Sequence, residues 1–213
     1  MVRWATVRSC WFLSRRSSIQ RAPAMDVTCS TVGLVFISPL LALVAAAIKL
    51  DSPGPVFFRQ TRIGQDGRPF SMLKFRSMVD GADAQKPELL EHNEADGLFK
   101  IADDPRITRV GRLIRKLSLD ELPQLMNVLR GEMSLVGPRP LVVEDDQRVE
   151  GRHRRRLRLL PGMTGPWQVL GSSRIPLSEM VNIDYLYGAN WSLWTDVKIL
   201  LRTAEHVVGR RGQ

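Results

Sequence analysis

Residues 118–140 read Ser-Leu-Asp-Glu-Leu-Pro-Gln-Leu-Met-Asn-Val-Leu-Arg-Gly-Glu-Met-Ser-Leu-Val-Gly-Pro-Arg-Pro. Two carboxylates, Asp120 and Glu121, stand side by side near the start of this stretch. Pro123 is tolerated in the first turn of a helix but not deeper, so the stretch predicts a helix over 119–129. Both carboxylates would then lie at a helix N-terminus, where backbone N–H groups and the helix dipole favour negative charge.

Two interpretations of the acid pair are open at this point. Ser118 and Glu121 have the spacing of a capping box, in which side chains only satisfy backbone donors. The cations before the pair indicate instead a site where a phosphate is held while a carboxylate acts on it. These cations recur at helical spacing and comprise Arg106, Arg109, Arg112, Arg115 and Lys116. A further cation, Arg139, follows between two prolines.

The composition indicates a globular chain with a polyanionic partner. At 213 residues and 44% hydrophobic content the chain can bury a core, and its net charge is +9 with a pI near 10.4. Nucleic acid, an anionic membrane surface and phosphorylated substrates would all suit this charge. Cys10 and Cys29 do not form a disulfide framework, and three scattered histidines do not indicate a zinc site.

The first fifty residues divide into a basic arm and an apolar helix. Residues 1–25 contain five arginines and no acid, which suits a targeting peptide or a disordered basic arm. The arm is favoured because the apolar run that follows is longer than a signal-peptide core and no small-x-small cleavage site stands out beyond it. Within the predicted membrane segment 26–50, residues 27–48 carry no charge and are long enough to cross a bilayer, but Ser38 and Pro39 at the midpoint predict a break. Because both flanks are basic and prefer the cytoplasmic side, we expect a re-entrant membrane helix, with a straight span as the alternative.

Residues 51–213 are predicted to form a helix-rich α/β domain that contains a small β-hairpin. Strands over 56–62 and 69–76 join around Asp66, and an acidic surface loop follows over 80–104. Two helices are predicted over 178–187 and 194–208, the second with an apolar flank that suits either a membrane interface or the core. In the Gly- and Pro-rich loop between 161 and 169, Trp167 could stack on a base or fill the core.

Two charged runs lie between these elements. Glu144, Asp145 and Asp146 could bind a metal, but three acids in a row are more typical of a solvated helix end. The cationic block over 152–158 is typical of a solvated or membrane-facing surface. It has no interleaved aromatics and no recognisable nucleic-acid-binding module, so nucleic acid is not an expected partner.

Several motifs in one order resemble the bacterial sugar transferase family, the monotopic phosphoglycosyl transferases that start glycan assembly on a polyprenyl phosphate. The motifs are Ser38-Pro39, Ser52-Pro-Gly-Pro-Val-Phe57, Leu73-Lys-Phe-Arg-Ser-Met78, Leu117-Ser-Leu-Asp-Glu-Leu122, Val136-Gly-Pro-Arg-Pro140 and Pro161-Gly-Met-Thr-Gly165. The resemblance extends over residues 26–202. It does not include the extra N-terminal membrane bundle of the family's larger members.

The resemblance implies transfer of a sugar 1-phosphate from a nucleotide sugar, expected to be a UDP-sugar, to undecaprenyl phosphate. It also implies Mg²⁺, with Asp120 as a ligand, and a place on the cytoplasmic face of the bacterial inner membrane. Asp120 matches the family's nucleophile and Glu121 its partner. Residues expected to bind phosphate are Lys74, Arg76, Arg112, Arg115 and Arg139. Residues expected to contact the nucleotide sugar are Thr164, Trp167, Gln168 and, in place of the family's Gly-Arg, Arg174.

The chemistry of the acceptor favours a covalent route. A phosphate's second pKa is near ~6, so a lipid phosphate is largely ionised at neutral pH and needs no general base. A carboxylate among cations is better used as the attacking group, which predicts an aspartyl phosphosugar and ping-pong kinetics. Direct transfer through a ternary complex is one alternative. A non-catalytic basic membrane adaptor that binds anionic lipid or nucleic acid is another, and a homo-oligomer is possible with either.

Overall fold

The first helix of the structure is long, apolar and continuous. The computed structural model describes residues 22–85, 89, 101, 104–170 and 176–209, so most of the predicted basic arm lies outside the described residues. Helix α1 (Ala22–Asp51) runs through Pro39 without interruption, and the Ser38 hydroxyl donates to the Val35 carbonyl at 2.9 Å. Ser38 and Pro39 therefore do not interrupt the helix, contrary to the predicted break. The re-entrant path through the membrane stays a prediction.

Both ends of α1 pack on the rest of the chain while its middle is bare. Near the N-terminal end, the Asp26 carboxylate accepts from the Leu135 backbone N–H at 3.3 Å. Near the C-terminal end, Val44 and Ile48 are buried in a cluster with other core residues. Between them Phe36 is 80% exposed, a large apolar side chain that a soluble surface rarely presents. In the described part of the chain α1 is the one helix long and apolar enough to cross a membrane.

The predicted β-hairpin is confirmed. Strand β1 (Phe57–Ile63) pairs antiparallel with β2 (Pro69–Phe75), and Phe58 lies opposite Lys74. A short 3₁₀ turn, Gln65–Gly67, joins them, with Asp66 in the left-handed region at φ 55°. This turn residue is a common choice for that conformation, which explains why the hairpin can be recognised from local sequence.

A short 3₁₀ helix (Ala82–Gln85) then precedes the helix that carries part of the predicted cationic ladder, α2 (Arg109–Lys116). It begins later than expected because Thr108 caps it, its hydroxyl accepting from the Gly111 N–H at 2.9 Å. Arg106 therefore precedes the helix and forms a buried ion pair with Asp104 at 2.5 Å. The prediction that Arg106 belongs to one helical ladder was wrong.

Gly111 lets α2 approach the backbone after β2 very closely. A Cβ atom built there would lie 1.9 Å from the Ser77 carbonyl oxygen. The same carbonyl accepts from the Thr108 N–H at 3.2 Å, so the segment cannot shift freely. The glycine thus sets the distance between α2 and the strand.

Replacing Gly111 with alanine is expected to lower the stability of the domain. The added methyl group would have to displace backbone atoms, so we expect the free energy of unfolding to fall by at least about 1–3 kcal/mol. This corresponds to about 2–4 °C of melting temperature for each kcal/mol, measurable by a thermal scan in detergent. Gly33→Ala is the matched control, since its Cβ would meet only the Leu125 Cδ1 atom at 4.0 Å. Equal melting temperatures for both variants would contradict the expectation.

The central stretch forms a helix of two kinds. A 3₁₀ helix (Leu119–Gln124) holds Pro123 and leads directly into α3 (Leu125–Leu129), which ends before Gly131. The predicted bounds are thus confirmed, but the first half is wound more tightly. Ser118 adopts a left-handed conformation at φ 54° and makes no side-chain cap, so the capping box does not form.

A parallel strand pair, which the sequence analysis did not predict, positions Arg139. Strand β3 (Ser134–Val136) pairs with β4 (Gly162–Thr164), and the Gly162 N–H donates to the Pro138 carbonyl at 2.9 Å. A Cβ atom at Gly162 would lie 2.1 Å from the Gly137 nitrogen, so this crossing requires a residue without a side chain. The segment predicted as a loop is therefore partly strand, and it fixes the Pro-Arg-Pro backbone.

The remaining elements form the C-terminal half. They are α4 (Val143–Gln147), a 3₁₀ helix (Gly151–Arg158), α5 (Pro166–Val169), α6 (Leu177–Ala189) and α7 (Leu193–Val208). The last two confirm the predicted C-terminal helices. Helix α7 buries Ile199 in the core, as one alternative for its apolar flank predicted, and leaves Trp194 and Leu201 exposed, so a membrane contact of that face stays a prediction. The whole is a helix-rich mixed structure with a small hairpin and one apolar N-terminal helix.

Candidate active site

Asp120 lies on the wall of a cavity of about 560 Å³, a volume typical of small-molecule sites. Ser118, two residues before it, adopts a left-handed conformation at the start of the 3₁₀ helix that carries this carboxylate on the cavity wall. Besides Asp120, the cavity is lined by Asp80, Asp83 and Asp145, by uncharged residues, and by cations from six different elements or loops. The cations that line it are Arg62, Lys74, Arg76, Arg106, Arg115 and Arg139.

Asp120 is 9% exposed, and burial is the main reason why its pKa lies above the ordinary value. The charge of Lys74 opposes this shift, Glu121 adds to it and Arg115 opposes it. A raised pKa means that the protein stabilises the carboxylate less well than water does. The cavity therefore holds a poorly solvated carboxylate, the state in which a carboxylate is a better nucleophile.

Glu121 shows the opposite shift. Its Oε1 atom accepts from Lys74 Nζ at 2.7 Å. Burial alone would raise its pKa, but the charges of Lys74, Arg139 and Arg62 outweigh burial, and the pKa lies below its usual value. Glu121 thus stays ionised beside a more basic Asp120. Two neighbouring carboxylates with pKa values pushed apart are typical of sites where the two have different tasks.

Two arginines reach the acid pair from opposite sides. Arg115 donates from Nε to the Ser77 hydroxyl at 2.8 Å, and burial lowers its pKa. Arg139 lies over the Trp167 ring, its guanidinium carbon 5.2 Å from the ring centroid, and lines the same cavity as Asp120. Such stacking restrains a guanidinium without using its hydrogen-bond donors.

The other predicted phosphate contacts differ in placement. Arg76 lines the cavity, but its guanidinium donates to the Ser52 carbonyl at 2.8 Å and to the Pro53 carbonyl, so it also braces the backbone after α1. Arg112 is exposed and is not among the residues that line the cavity. The structure therefore brings together Lys74, Arg115 and Arg139, with Arg76 at the margin.

Arg62 is a site residue that the sequence analysis missed. It lies on the same face of the hairpin as Lys74 and donates to the Pro140 carbonyl at 3.1 Å. Burial and the charge of Arg139 lower its pKa to about 10. The alternation Phe58, Gln60, Arg62 along β1 was the available signal, since side chains two apart share a face.

The residues expected to contact the nucleotide sugar do not lie together. Some are in the core, and one borders a second, smaller pocket that Glu121 also lines. The Thr164 hydroxyl bonds the Thr203 hydroxyl at 2.7 Å, and Trp167 fills the core, which decides between its two alternatives. Gln168 borders the smaller space together with Glu121, and its Oε1 atom is buried without a partner. Arg174 lies outside the described residues.

The two charged runs contact each other through Asp146, and one arginine of the second run is buried against an acid from a different element. Asp146 pairs with Arg154 at 3.2 Å, and Arg156 is buried against Asp184 at 3.0 Å. Burial raises the pKa of Asp184 to about 6, although Arg156 opposes the shift. The prediction of one solvated or membrane-facing cationic surface over 152–158 was therefore wrong for Arg156, which is buried, whereas Arg154 is exposed.

The residues fit a Mg²⁺ ion that is bound partly by substrate. No group of three or more His, Cys, Asp or Glu side chains among the described residues is arranged to hold a metal, the acids at 144–146 included. Mg²⁺ commonly takes only one or two carboxylates and completes its shell with phosphate oxygens and water. Asp120 on the cavity wall meets that requirement.

Comparison with known proteins gives one consistent result. A family model described as bacterial sugar transferase matches residues 17–210. The chain is 44% identical over 186 residues to galactosyl transferase CpsE of Streptococcus agalactiae, covering 86% of this chain and 41% of CpsE. It is 43% identical over 205 residues to undecaprenyl-phosphate galactose phosphotransferase of Salmonella typhimurium, covering 94% and 43%.

A third relative is UDP-glucose:undecaprenyl-phosphate glucose-1-phosphate transferase of Caulobacter vibrioides. It is 43% identical over 196 residues, which cover 86% of this chain and 68% of the relative. The chain thus spans less than half the length of the first two relatives. None of the three names favours a non-catalytic adaptor.

Proposed function

Since the chain belongs to the bacterial sugar transferase family, we propose that it transfers a sugar 1-phosphate from a nucleotide sugar to undecaprenyl phosphate. A nucleoside monophosphate is released, and the product begins an exopolysaccharide, capsule, O-antigen or glycoprotein glycan. The relative from C. vibrioides carries UDP-glucose in its name, which supports a UDP-sugar as donor. The observation that carries the proposal is a poorly solvated Asp120 in a cavity lined by cations.

The proposed reaction has two steps at one phosphorus atom. In the first, an Asp120 oxygen attacks the β-phosphorus of the donor, the bond to the oxygen bridging the two phosphates breaks, and nucleoside monophosphate leaves with both electrons. In the second, an oxygen of undecaprenyl phosphate attacks the same phosphorus and the aspartyl oxygen departs. The product is a lipid diphosphate sugar, and the carboxylate is regenerated. Neither step needs a proton at neutral pH, since the acceptor is already ionised.

The cations are proposed to offset the charge that gathers around that phosphorus. Lys74, Arg115 and Arg139 approach the acid pair from three elements, and each loses part of its hydration there. In such surroundings a fixed positive charge acts more strongly than it does in water. A Mg²⁺ ion bound by Asp120 and donor phosphate oxygens would supply further charge neutralisation. Removal with a chelator is expected to abolish turnover and excess Mg²⁺ to restore it.

We propose that α1 enters and leaves the membrane on the cytoplasmic face of the inner membrane. The support is that both its ends contact the same domain, through Asp26 at one end and Ile48 at the other. A helix that crossed a bilayer would separate its ends by roughly 30 Å of hydrocarbon, leaving one of them far from the domain. The bare apolar middle around Phe36 is the part proposed to enter the lipid.

Cysteine labelling tests this path. Ala24→Cys and Pro53→Cys, each in a chain whose own cysteines are replaced by serine, are expected to react with an impermeant maleimide from one face only. Inverted inner-membrane vesicles should label at both positions, and intact spheroplasts at neither. Ala24 and Pro53 are exposed positions, so the readout does not depend on unfolding. Labelling from opposite faces would establish a straight span.

Removing the Lys74 charge is expected to move the acid limb of the rate profile. Lys74 lowers the pKa of both Asp120 and Glu121, so Lys74→Met raises both. Activity that needs the ionised pair is then present only at higher pH and is lost sooner as pH falls. The measurement is kcat between pH 5 and 8, a range that lies on the alkaline side of ordinary carboxyl pKa values. If kcat falls but its acid limb does not move, Lys74 acts by neutralising charge and not by lowering the carboxyl pKa values, which would contradict this expectation.

A donor panel tests the proposal as a whole. Full-length protein in lipid nanodiscs with undecaprenyl phosphate is incubated with UDP-, GDP- and CDP-sugars, and nucleoside monophosphate is measured. Release with at least one donor, dependent on the lipid phosphate and matched by labelled sugar in the organic phase, is expected. Release of a nucleoside diphosphate instead would identify a glycosyl transfer and overturn the proposal.

A further inference from the structure

Asn127 in α3 makes an unusually complete set of hydrogen bonds for a fully buried side chain. Its Oδ1 atom accepts from the Leu73 N–H at 3.0 Å, and its Nδ2 atom donates to the Ser71 carbonyl at 2.8 Å. The same Nδ2 atom donates to Glu132 Oε2 at 2.6 Å. A buried amide is costly unless its donors and acceptor are all satisfied, so each of these partners is under strong geometric constraint.

The bonds to β2 copy those of a neighbouring strand. Among the residues that the structure describes, the β1–β2 sheet has two strands, and no strand covers the other edge of β2. A residue of a parallel strand opposite Met72 would donate to the carbonyl before it and accept from the N–H after it. The Asn127 amide does both, to Ser71 and Leu73. One side chain therefore ties the free edge of β2 to the helix that follows the acid pair.

This tie lies next to the ion pair at the active site. Lys74 directly follows Leu73, and Glu121 lies on the 3₁₀ helix that continues into α3. The Lys74–Glu121 contact of 2.7 Å joins the same two elements that Asn127 joins, and an ion pair of flexible side chains could not fix their spacing alone.

We infer that Asn127, held in turn by Glu132, is a positioning residue that keeps Lys74 opposite Glu121. The inference rests on the proposed function where it concerns turnover, and on the structure alone where it concerns the ion pair. Glu132 accepts the second hydrogen of the amide, so it fixes which way the amide faces. Because Asn127 fixes the position of β2 against α3, it also determines where Lys74 lies beside Glu121 and Asp120.

The test replaces the amide by an isosteric carboxylate. Asn127→Asp keeps the acceptor for Leu73 but loses both donations and sets two carboxylates against each other. Glu132→Gln in the same chain returns a donor to that contact, so Asn127→Asp/Glu132→Gln is the rescue variant. Asn127→Ala removes all three bonds without adding a charge, and it serves if Asn127→Asp does not fold.

The first readout is independent of catalysis. Reductive methylation with isotopic formaldehyde, followed by peptide mass spectrometry, measures how readily each lysine reacts, with exposed Lys116 as internal reference. Lys74 is expected to react several-fold faster in Asn127→Asp than in wild type, about as fast as in Glu121→Gln. In the rescue variant the methylation rate of Lys74 should return part of the way to the wild-type rate. Circular dichroism spectra that match wild type establish that each variant is folded.

The second readout is the acid limb of kcat, which should move to higher pH in Asn127→Asp as in Lys74→Met. An unchanged methylation rate of Lys74 in folded Asn127→Asp, or in Asn127→Ala where that variant has to serve, would overturn the inference. If wild type itself shows no transfer, the proposed function fails while the methylation rates still decide the role of Asn127.

Discussion

Asp120→Asn is expected to reduce sugar 1-phosphate transfer by at least about 10³-fold, because the amide cannot form the acyl phosphate that links the two steps. The substitution keeps the shape of the side chain and removes its charge from a cavity lined by cations. The substitution removes one charge that repels the donor phosphates and also the carboxylate proposed to bind Mg²⁺, so these two effects on donor binding oppose each other. The larger effect is therefore expected on kcat.

The measurement that separates covalent from direct transfer omits the lipid acceptor. Wild type incubated with donor labelled in its β-phosphate should retain one label on protein, on the peptide that contains Asp120, and release one equivalent of nucleoside monophosphate. Asp120→Asn should retain none. Arg112→Ala, an exposed position away from the cavity, should label as wild type does. Normal turnover without a trapped adduct would favour the ternary complex, and turnover by Asp120→Asn would reassign the nucleophile.

Arg139→Ala is expected to lower kcat/KM by about 10²–10³-fold, the range for removing one preorganised charge from a transition state. Arg139 faces the cavity, lowers the pKa of Glu121 and is held flat against Trp167. Its removal should also move the acid limb of the rate profile upward, because Glu121 loses a stabilising charge.

Arg139→Lys distinguishes charge from geometry. Lysine keeps the charge but not the planar fork or the stacking on Trp167, so recovery should be partial in kcat and nearly complete in the position of the acid limb. Arg155→Ala, an exposed arginine outside the cavity, is the control for general loss of positive charge. Full activity of Arg139→Ala would remove this residue from the site.

The parts of the structure that could be predicted from sequence are those set by neighbouring residues. The hairpin follows from alternation and a turn residue at Asp66, and the bounds of the central helix follow from Pro123 and Gly131. The acid pair and most of its cations were found because their types and order form a recognisable pattern. These signals act within a few residues and do not require the fold.

The parts that could not be predicted depend on contacts between distant segments. Strands β3 and β4 are three residues each, too short for a period, and pair only because Gly137 and Gly162 allow their backbones to touch. Arg62 reaches the site only through the pairing of β1 with β2. The composition of the run that contains Arg156 predicts exposure to solvent. Arg156 is nevertheless buried, because it forms an ion pair with Asp184, which is distant in sequence.

The docking of α1 has a practical consequence for the isolated domain. Val44 and Ile48 share a cluster with Phe75 at the end of the hairpin and Ile114 on α2, so the anchor is also a component of the core. A truncation that begins after residue 50 would remove Val44 and Ile48 and expose Phe75 and Ile114, which lie close in sequence to Ser77 and Arg115. Such a fragment is expected to aggregate or lose its substrate pocket, and a water-soluble version would need polar replacements in the bare middle of the helix while the two seated ends are retained.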